Sequence, residues 1–118
     1  VRVIPVQTRA ECELAIRRIG LGVWLPDEMT AAAPDIEQSW RMTSDALAVW
    51  LSITLGVPNL AIAKSMGPDD VDLDPSGSAV QRVETLVDYG LVDALFPHYI
   101  GQYAGHWALV TEPASIRV

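Results

Sequence analysis

The segment that decides the fold joins a capped helix to an apolar strand. It reads Thr43-Ser44-Asp45-Ala46-Leu47-Ala48-Val49-Trp50-Leu51, continues to Gly56 and closes with Asn59-Leu60-Ala61-Ile62-Ala63-Lys64. A polar triplet opens the helix, and the only lysine of the chain closes the strand. Because strand ends and helix starts share one edge of an open α/β sheet, where ligands bind, we expect Asp45 and Lys64 to contribute to one site.

The bounds of this helix and strand follow from local signals. Thr43 and Ser44 are both favourable N-cap residues, whereas Gly56 ends the helix and Pro58 prevents its continuation. The helical spacing predicts burial of Leu47, Trp50, Leu51 and Leu55. The apolar run over 59–63 is typical of a strand that is covered on both faces.

The residues before this segment predict two strands around a helix. A short strand over 1–6 is followed by Thr8 and Glu11, which have the spacing of a capping box. The helix over 9–19 is predicted to bury one side, made of Cys12, Ala15, Ile16 and Ile19. A second strand is expected over 22–25, and a helical turn over 29–33.

The residues after this segment continue the alternation. Ser78 is expected to cap a helix that Gly90 ends, a short helical segment containing Pro97 lies within 91–103, and a last strand covers 106–110. Strands that alternate with helices along most of the chain indicate a parallel α/β sheet.

Composition excludes several classes of partner. The 118 residues suffice for one compact domain, and the hydrophobic half of them indicates a folded chain. A net charge of -7 leaves no basic stripe, so nucleic acid and anionic membrane are poor partners. Cys12 is the only cysteine, which fits a small buried residue in a reducing compartment. No apolar run is long enough to cross a bilayer, and we expect a cytoplasmic location.

Each candidate functional residue also has a structural interpretation. Thr43, Ser44 and Asp45 have the residue types of ordinary helix capping, and a lysine at the end of an apolar strand commonly extends to solvent. The acidic loop with Asp69 and Asp70 has the oxygen ligands that Mg²⁺ prefers, but it also fits a solvated loop. No zinc site is predicted, because the two histidines lack ligand partners at metal-binding spacing.

One segment resembles a known family. Ser39-Trp40-Arg41-Met42-Thr43-Ser44-Asp45-Ala46-Leu47-Ala48 resembles the S-W-x-x-T-S-D-S-I-A segment of the amino acid kinase family, and most of all its branch of aminomethylfuran phosphate kinases. Three further segments resemble that branch in order and spacing: Leu60-Ala61-Ile62-Ala63-Lys64, Leu91-Val92-Asp93-Ala94-Leu95-Phe96-Pro97, and Trp107-Ala108-Leu109-Val110 with the turn that follows.

The resemblance implies a three-layer αβα sandwich with a mainly parallel sheet, and an ATP-dependent small-molecule kinase that uses Mg²⁺. Asp45 and Lys64 fall on catalytic positions, and Thr43 and Ser44 fall beside the acceptor or its phosphate. Nucleotide contacts fall on Lys64 and on four residues after it: Ser65, Gly67, Asp69 and Asp70. Aminomethylfuran phosphate, a precursor in methanofuran-type cofactor synthesis, is the implied acceptor.

The sequence also departs from the family. The family's first-strand lysine and Gly-Gly-Ser phosphate loop have no counterpart here, and residues 65–70 replace the Asp-Val-Asp-Gly of the branch. We therefore expect residues 1–118 to form a single domain, the C-terminal nucleotide-side part of such a kinase. The missing lobe would come from the same polypeptide or from a partner chain, with a homo-oligomer as one arrangement.

Two other hypotheses remain open at this point. The chain is alternatively a non-catalytic member of the same fold that binds a nucleotide or effector, or serves as a structural subunit. A third reading is an assembly subunit that binds through its tryptophans, which are Trp24, Trp40, Trp50 and Trp107.

Overall fold

The computed structural model describes residues 3–18, 21–36, 42–64 and 79–110. Contacts group the chain into two compact units, Val1–Gln38 and Ser39–Val118, and each is described by itself. Both are mixed α/β structures that contain a two-stranded parallel sheet. The structure therefore has the predicted mixed α/β class with parallel strands, in two small sheets. The expectation of a single domain over 1–118 stays a prediction.

The first unit is a strand–helix–strand structure followed by a short helix. Its elements are β1 (Val3–Val6), α1 (Arg9–Arg17), β2 (Leu21–Trp24) and α2 (Asp27–Ala32). The parallel register pairs Val3 with Leu21 and Val6 with Trp24. The predicted strands and the predicted helix at 9 are confirmed within two or three residues at their ends.

A capping box starts α1, as the spacing predicts. The Thr8 hydroxyl accepts a hydrogen bond from the Glu11 N–H at 3.1 Å, and Glu11 Oε1 accepts from the Thr8 N–H at 3.0 Å. The same oxygen accepts from the Gln7 N–H at 3.0 Å. These backbone donors, Gln7 first, lower the pKa of the exposed Glu11 carboxyl below its usual value.

Helix α1 covers one face of its sheet through small residues. A Cβ at Gly22 would lie only 3.3 Å from the Ala15 Cβ, so the helix approaches β2 closely there. Cys12 is buried as predicted, and burial raises the pKa of its thiol. The prediction for Ile16 was wrong: it is 58% exposed, because two strands are too narrow to cover that side of the helix. The prediction for Ile19 lies outside the described residues.

The other face of this sheet is exposed. Val3 and Leu21 are register partners and Val23 lies two residues further along β2, so all three side chains share the face away from α1. Each is more than two-fifths exposed.

The second unit contains the predicted candidate site. Its elements are α3 (Ser44–Leu55), β3 (Asn59–Ala63), α4 (Ala79–Asp88), α5 (Phe96–Ile100) and β4 (His106–Val110). The parallel pairing runs from Asn59 with His106 to Ala63 with Val110. All five elements were predicted, and the bounds of β3 and β4 agree with the prediction residue for residue.

The core of the second unit forms where α3 and α5 pack. Ala46, Val49 and Phe96 have no exposed surface, and the ring of Phe96 meets Trp107 of β4 edge-on at 5.3 Å between centroids. Trp50 is buried as predicted. The other predicted core residues of α3, Leu47, Leu51 and Leu55, are only half-buried, because the buried side of the helix runs instead through Ala46, Val49 and Trp50.

The expectation that β3 is covered on both faces was wrong. Ile62 is buried and Leu60 half-buried, but Asn59, Ala61 and Ala63 are exposed. Alanine reads as apolar in a sequence, yet its single methyl group exposes little surface, so it tolerates a solvated face. The strand is therefore covered on one face.

Two glycines shape the ends of helix α3 and strand β4. Gly56 ends α3 with φ of 67°, and its N–H donates to the Ile53 carbonyl at 3.2 Å. A Cβ at Gly105 would collide with the Tyr103 hydroxyl and the Pro58 carbonyl. Tyr103 is itself fixed there, since its hydroxyl donates to the Val57 carbonyl at 2.8 Å.

In the described ranges, no helix has both the length and the apolar content that crossing a bilayer requires.

The lowered pKa of Glu11 predicts a pH dependence in the first unit. A carboxyl whose pKa is lower in the folded state stabilises the fold above its unfolded pKa, and that contribution is lost as the pH falls through the folded pKa. We expect Glu11→Gln to flatten the dependence of the urea midpoint on pH below about 4.5. Glu13→Gln removes the same charge from the same helix and is the control. Equal pH profiles for the two variants would contradict the prediction.

The two glycine positions predict different costs for an added methyl group. Gly105→Ala is expected to lower the free energy of unfolding by roughly 2–3 kcal/mol, since backbone and a fixed tyrosine block the space. Gly56→Ala has open space and loses only about 1 kcal/mol, from its left-handed backbone. Urea denaturation measures both. Gly101→Ala is the matched control, and a Gly105→Ala protein as stable as that control would refute the steric argument.

Candidate functional site

An ion pair joins the two residues that the sequence placed at one edge. Lys64 Nζ lies 2.8 Å from both carboxylate oxygens of Asp45. Asp45 lies in the first turn of α3, and Lys64 directly follows β3, whose last pairing it extends by donating its N–H to the Val110 carbonyl at 2.8 Å. The predicted juxtaposition is thus present.

The pair is only partly accessible to solvent. Asp45 is buried with 8% of the residue exposed, whereas the Lys64 side chain keeps 25% of its surface. Burial removes water from the carboxylate, and the ammonium group replaces those contacts. Loss of one partner would leave the other charge poorly solvated, which is the costly way to break such a pair.

A second carboxylate holds the start of α3. Asp93 Oδ2 accepts hydrogen bonds from the Thr43 N–H at 3.0 Å, the Thr43 hydroxyl at 2.7 Å and the Ala46 N–H at 3.0 Å. Its Oδ1 accepts from the Leu95 N–H at 3.0 Å. The first N–H groups of a helix have no acceptor within the helix. Here Asp93, which lies 47 positions after Ala46, is the acceptor for the Ala46 N–H.

This contact changes the interpretation of Thr43. Thr43 occupies the N-cap position, but its side chain makes no capping bond to its own helix. Its N–H and hydroxyl donate to Asp93 instead. Ser44 is exposed at the first position of the helix. A role for these two residues in binding substrate or phosphate stays a prediction.

The described charges around Lys64 are slightly negative in sum. Among the described residues, one ammonium group and the carboxylates of Asp45 and Asp93 leave one negative charge in excess, and the amino end of α3 offsets about half of it. An ammonium group has three donors. The two oxygens of Asp45 lie on one side of Nζ, and among the described residues no other acceptor contacts the ammonium group.

The described residues suit a phosphate oxygen better than a divalent cation. Lys64 can donate to one phosphate oxygen of a nucleotide. In contrast, both Asp45 oxygens contact Lys64, and Asp93 already accepts four hydrogen bonds, so a divalent cation would compete with these contacts. No group of three or more metal-binding side chains occurs within the described ranges. The predicted nucleotide contacts at Ser65, Gly67, Asp69 and Asp70 lie outside the described residues.

A separate cleft of about 370 Å³ lies at the other edge of the sheet. It is lined by the end of α3 and the start of β4, including Ser52, Tyr103 and His106. The Ser52 hydroxyl donates to the Ala48 carbonyl and the Tyr103 hydroxyl to Val57, so both are engaged. None of the predicted site residues lines this cleft.

Sequence reasoning missed the role of Asp93, which entered only as part of a resembling segment. A signal was present: Asp93 is a lone acidic residue between the apolar pairs Leu91–Val92 and Leu95–Phe96, which are all buried. A carboxylate held among buried residues needs hydrogen-bond donors. The sequence does not say where three of those four donors lie, because they belong to a segment about fifty residues earlier.

The ion pair predicts how exposed Lys64 is to an amine reagent. Asp45→Asn removes the charge that holds Nζ, so we expect acetic anhydride to acetylate Lys64 on the order of tenfold faster than in the wild type. Peptide mass spectrometry measures the rate at Lys64 separately from the terminal amine. Asp88→Asn changes the same charge at an exposed position of α4 and is the control. A wild-type rate in folded Asp45→Asn would show that the pair does not shield the amine.

In comparisons with known proteins, no family model, curated protein or solved structure matches the chain. The resemblance to the amino acid kinase family therefore stays a prediction. The function is proposed from the geometry around Asp45 and Lys64 together with that resemblance.

Proposed function

We propose that this chain is the nucleotide-side part of an ATP-dependent small-molecule phosphotransferase with an amino acid kinase-like αβα fold. The observation that supports it best is the position of Lys64. Its ammonium group is held 2.8 Å from both oxygens of Asp45, where the end of β3 meets the start of α3. This is the edge at which open α/β sheets bind ligands.

The proposed roles follow from how the donors and acceptors of the pair contact each other. Asp45 orients Lys64, since both its oxygens lie 2.8 Å from the ammonium group. Lys64 donates an N–H that does not face Asp45 to an oxygen of the transferred phosphoryl group. Phosphoryl transfer is accelerated mainly by positioning and by charge stabilisation, and a fixed ammonium group provides both.

The excess negative charge of the described residues around Lys64 calls for further cations in this proposal. In this proposal they come from a second lobe with a Gly-rich loop, in the same polypeptide or in a partner chain such as another copy of this one. Mg²⁺ would be held by the phosphates of ATP and by residues other than Asp45 and Asp93. The acceptor is a small molecule, with aminomethylfuran phosphate as the first to test.

A second candidate function is a non-catalytic subunit of the same fold, either an effector-binding or a structural one. The observation that favours it is Asp93, which fills with a protein carboxylate the helix start that could otherwise bind a phosphate. The hypothesis of binding through tryptophans has less support: Trp50 is buried, and Trp107 packs against Phe96. Trp40 lies outside the described residues.

Labelling with pyridoxal phosphate tests whether this edge binds phosphate. The aldehyde forms an imine with an amine, borohydride fixes it, and a phosphate site near Lys64 should favour the reagent over pyridoxal, which lacks the phosphate. We expect Lys64 to be labelled at least about tenfold faster by pyridoxal phosphate, and Mg-ATP to suppress the labelling. Peptide mass spectrometry locates the label.

Two controls separate the candidate functions. Lys64→Arg keeps the charge but forms no imine, so label must disappear from that peptide. Equal rates with both aldehydes and no effect of ATP would refute a phosphate site. Phosphorus NMR of ATP with aminomethylfuran phosphate then distinguishes transfer from binding, and it uses the full polypeptide together with any partner chain that supplies the second lobe. Protection of Lys64 by ATP without any transferred phosphate in that assembly would favour the non-catalytic subunit.

A further inference from the structure

We infer that Asp93 is a positioning residue for the Asp45–Lys64 pair, and that it acts by holding the first turn of α3 in place. Its importance for phosphate binding rests on the proposed function, but the geometry that it imposes does not. The inference follows from which backbone groups Asp93 contacts, from what fixes Asp93 itself, and from how both partners of the pair are attached to the same core.

The contacts of Asp93 lie on both sides of Asp45. Thr43 is two residues before Asp45 and Ala46 is the residue after it, and both donate their N–H groups to the same oxygen of Asp93. The backbone at Asp45 is therefore held between two fixed points. Since only two side-chain torsions separate that backbone from the carboxylate, the place of the carboxylate is set within a small range.

Asp93 is itself rigidly attached. Its second oxygen accepts from the Leu95 N–H two residues later, which fixes the side-chain rotamer. The Phe96 N–H donates to the Asp93 carbonyl at 3.1 Å, so the turn continues directly into α5. The flanking residues Val92 and Phe96 are buried, and they anchor this turn in the core.

The same core also carries Lys64. Phe96 packs edge-on against Trp107 of β4, β4 pairs with β3, and Lys64 follows β3. These contacts connect Lys64 back to Asp45. Lys64 follows the sheet, and the sheet packs against Phe96. Phe96 belongs to the turn of Asp93, which holds the start of α3 and thereby Asp45. One turn therefore sets the place of the carboxylate relative to the ammonium group.

The chemistry of position 93 requires a carboxylate. Its two oxygens accept on opposite sides, three donors on one and one on the other. An asparagine has a single acceptor oxygen, and its NH₂ group would face either the α3 donors or the Leu95 N–H. We therefore expect Asp93→Asn to loosen the turn even though its shape is almost unchanged.

The test measures the acetylation rate of Lys64 by acetic anhydride in folded protein, in the absence of nucleotide. Asp93→Asn is expected to raise this rate about five- to tenfold. Asp88→Asn, with the same charge change on α4, is expected to leave it unchanged. Tyr103→Phe removes the bond to Val57 at the other edge of the sheet, and it controls for a general loss of stability.

The double variant shows whether Asp93 acts through Asp45. In a positioning role, Asp45→Asn combined with Asp93→Asn acetylates no faster than Asp45→Asn alone, because the shielding carboxylate is already gone. A product of the two single effects, or a wild-type rate in folded Asp93→Asn, would overturn the inference. Should Asp93→Asn not fold, Thr43→Ala removes one of the four hydrogen bonds and is expected to give a smaller rise.

The outcome is independent of whether the chain is a kinase. A wild-type protein in which ATP fails to protect Lys64 would refute the phosphate site, while the acetylation rates of the Asp93 variants would still report on the geometry. Conversely, ATP protection with unchanged rates in Asp93→Asn would support the proposed function and reject the positioning role.

Discussion

The carboxylate of Asp93 is the group on which the geometry of the second unit depends. It accepts four hydrogen bonds, three of them from the start of α3 and one from its own turn. The first N–H groups of a helix need partners from outside the helix. Most helices find them within their own N-cap residue, but here the partner comes from a turn that follows α4, and so the cap is also a tertiary contact.

The order and direction of α3 and β3 bring Asp45 and Lys64 to the same place. Because α3 precedes β3 and runs back along it, the start of the helix lies beside the end of the strand, where Lys64 follows Ala63. The desolvation of such an ion pair largely cancels its Coulomb attraction, so its net contribution to stability is small. What the pair fixes is position, since the ammonium group lies 2.8 Å from both oxygens of Asp45.

Local patterns predicted most of the helices and strands, and also one contact between residues distant in sequence. The capping box at Thr8, the end of α3 at Gly56 and both strands of the second sheet follow from signals within a few residues. The proximity of Asp45 and Lys64 follows from the alternation of strands and helices alone. The predictions of burial were the ones that failed. Burial of Ile16 and of the alanines of β3 depends on how many layers cover each element, and burial of Leu47 depends on which side of α3 packs. No local pattern specifies either. The Asp93 contact was not predicted for a related reason, since Thr43 and Ser44 satisfy the capping rule within their own segment and a distant partner leaves no local signal.

The hydrogen bonds between Thr43 and Asp93 also have an evolutionary consequence. Because the hydroxyl and the carboxylate serve each other, loss of either leaves the other without its partner, and the two positions are expected to change together among descendants of the same ancestor. Covariation between positions 43 and 93, fifty residues apart, would trace distant kinship where similarity over whole chains has faded.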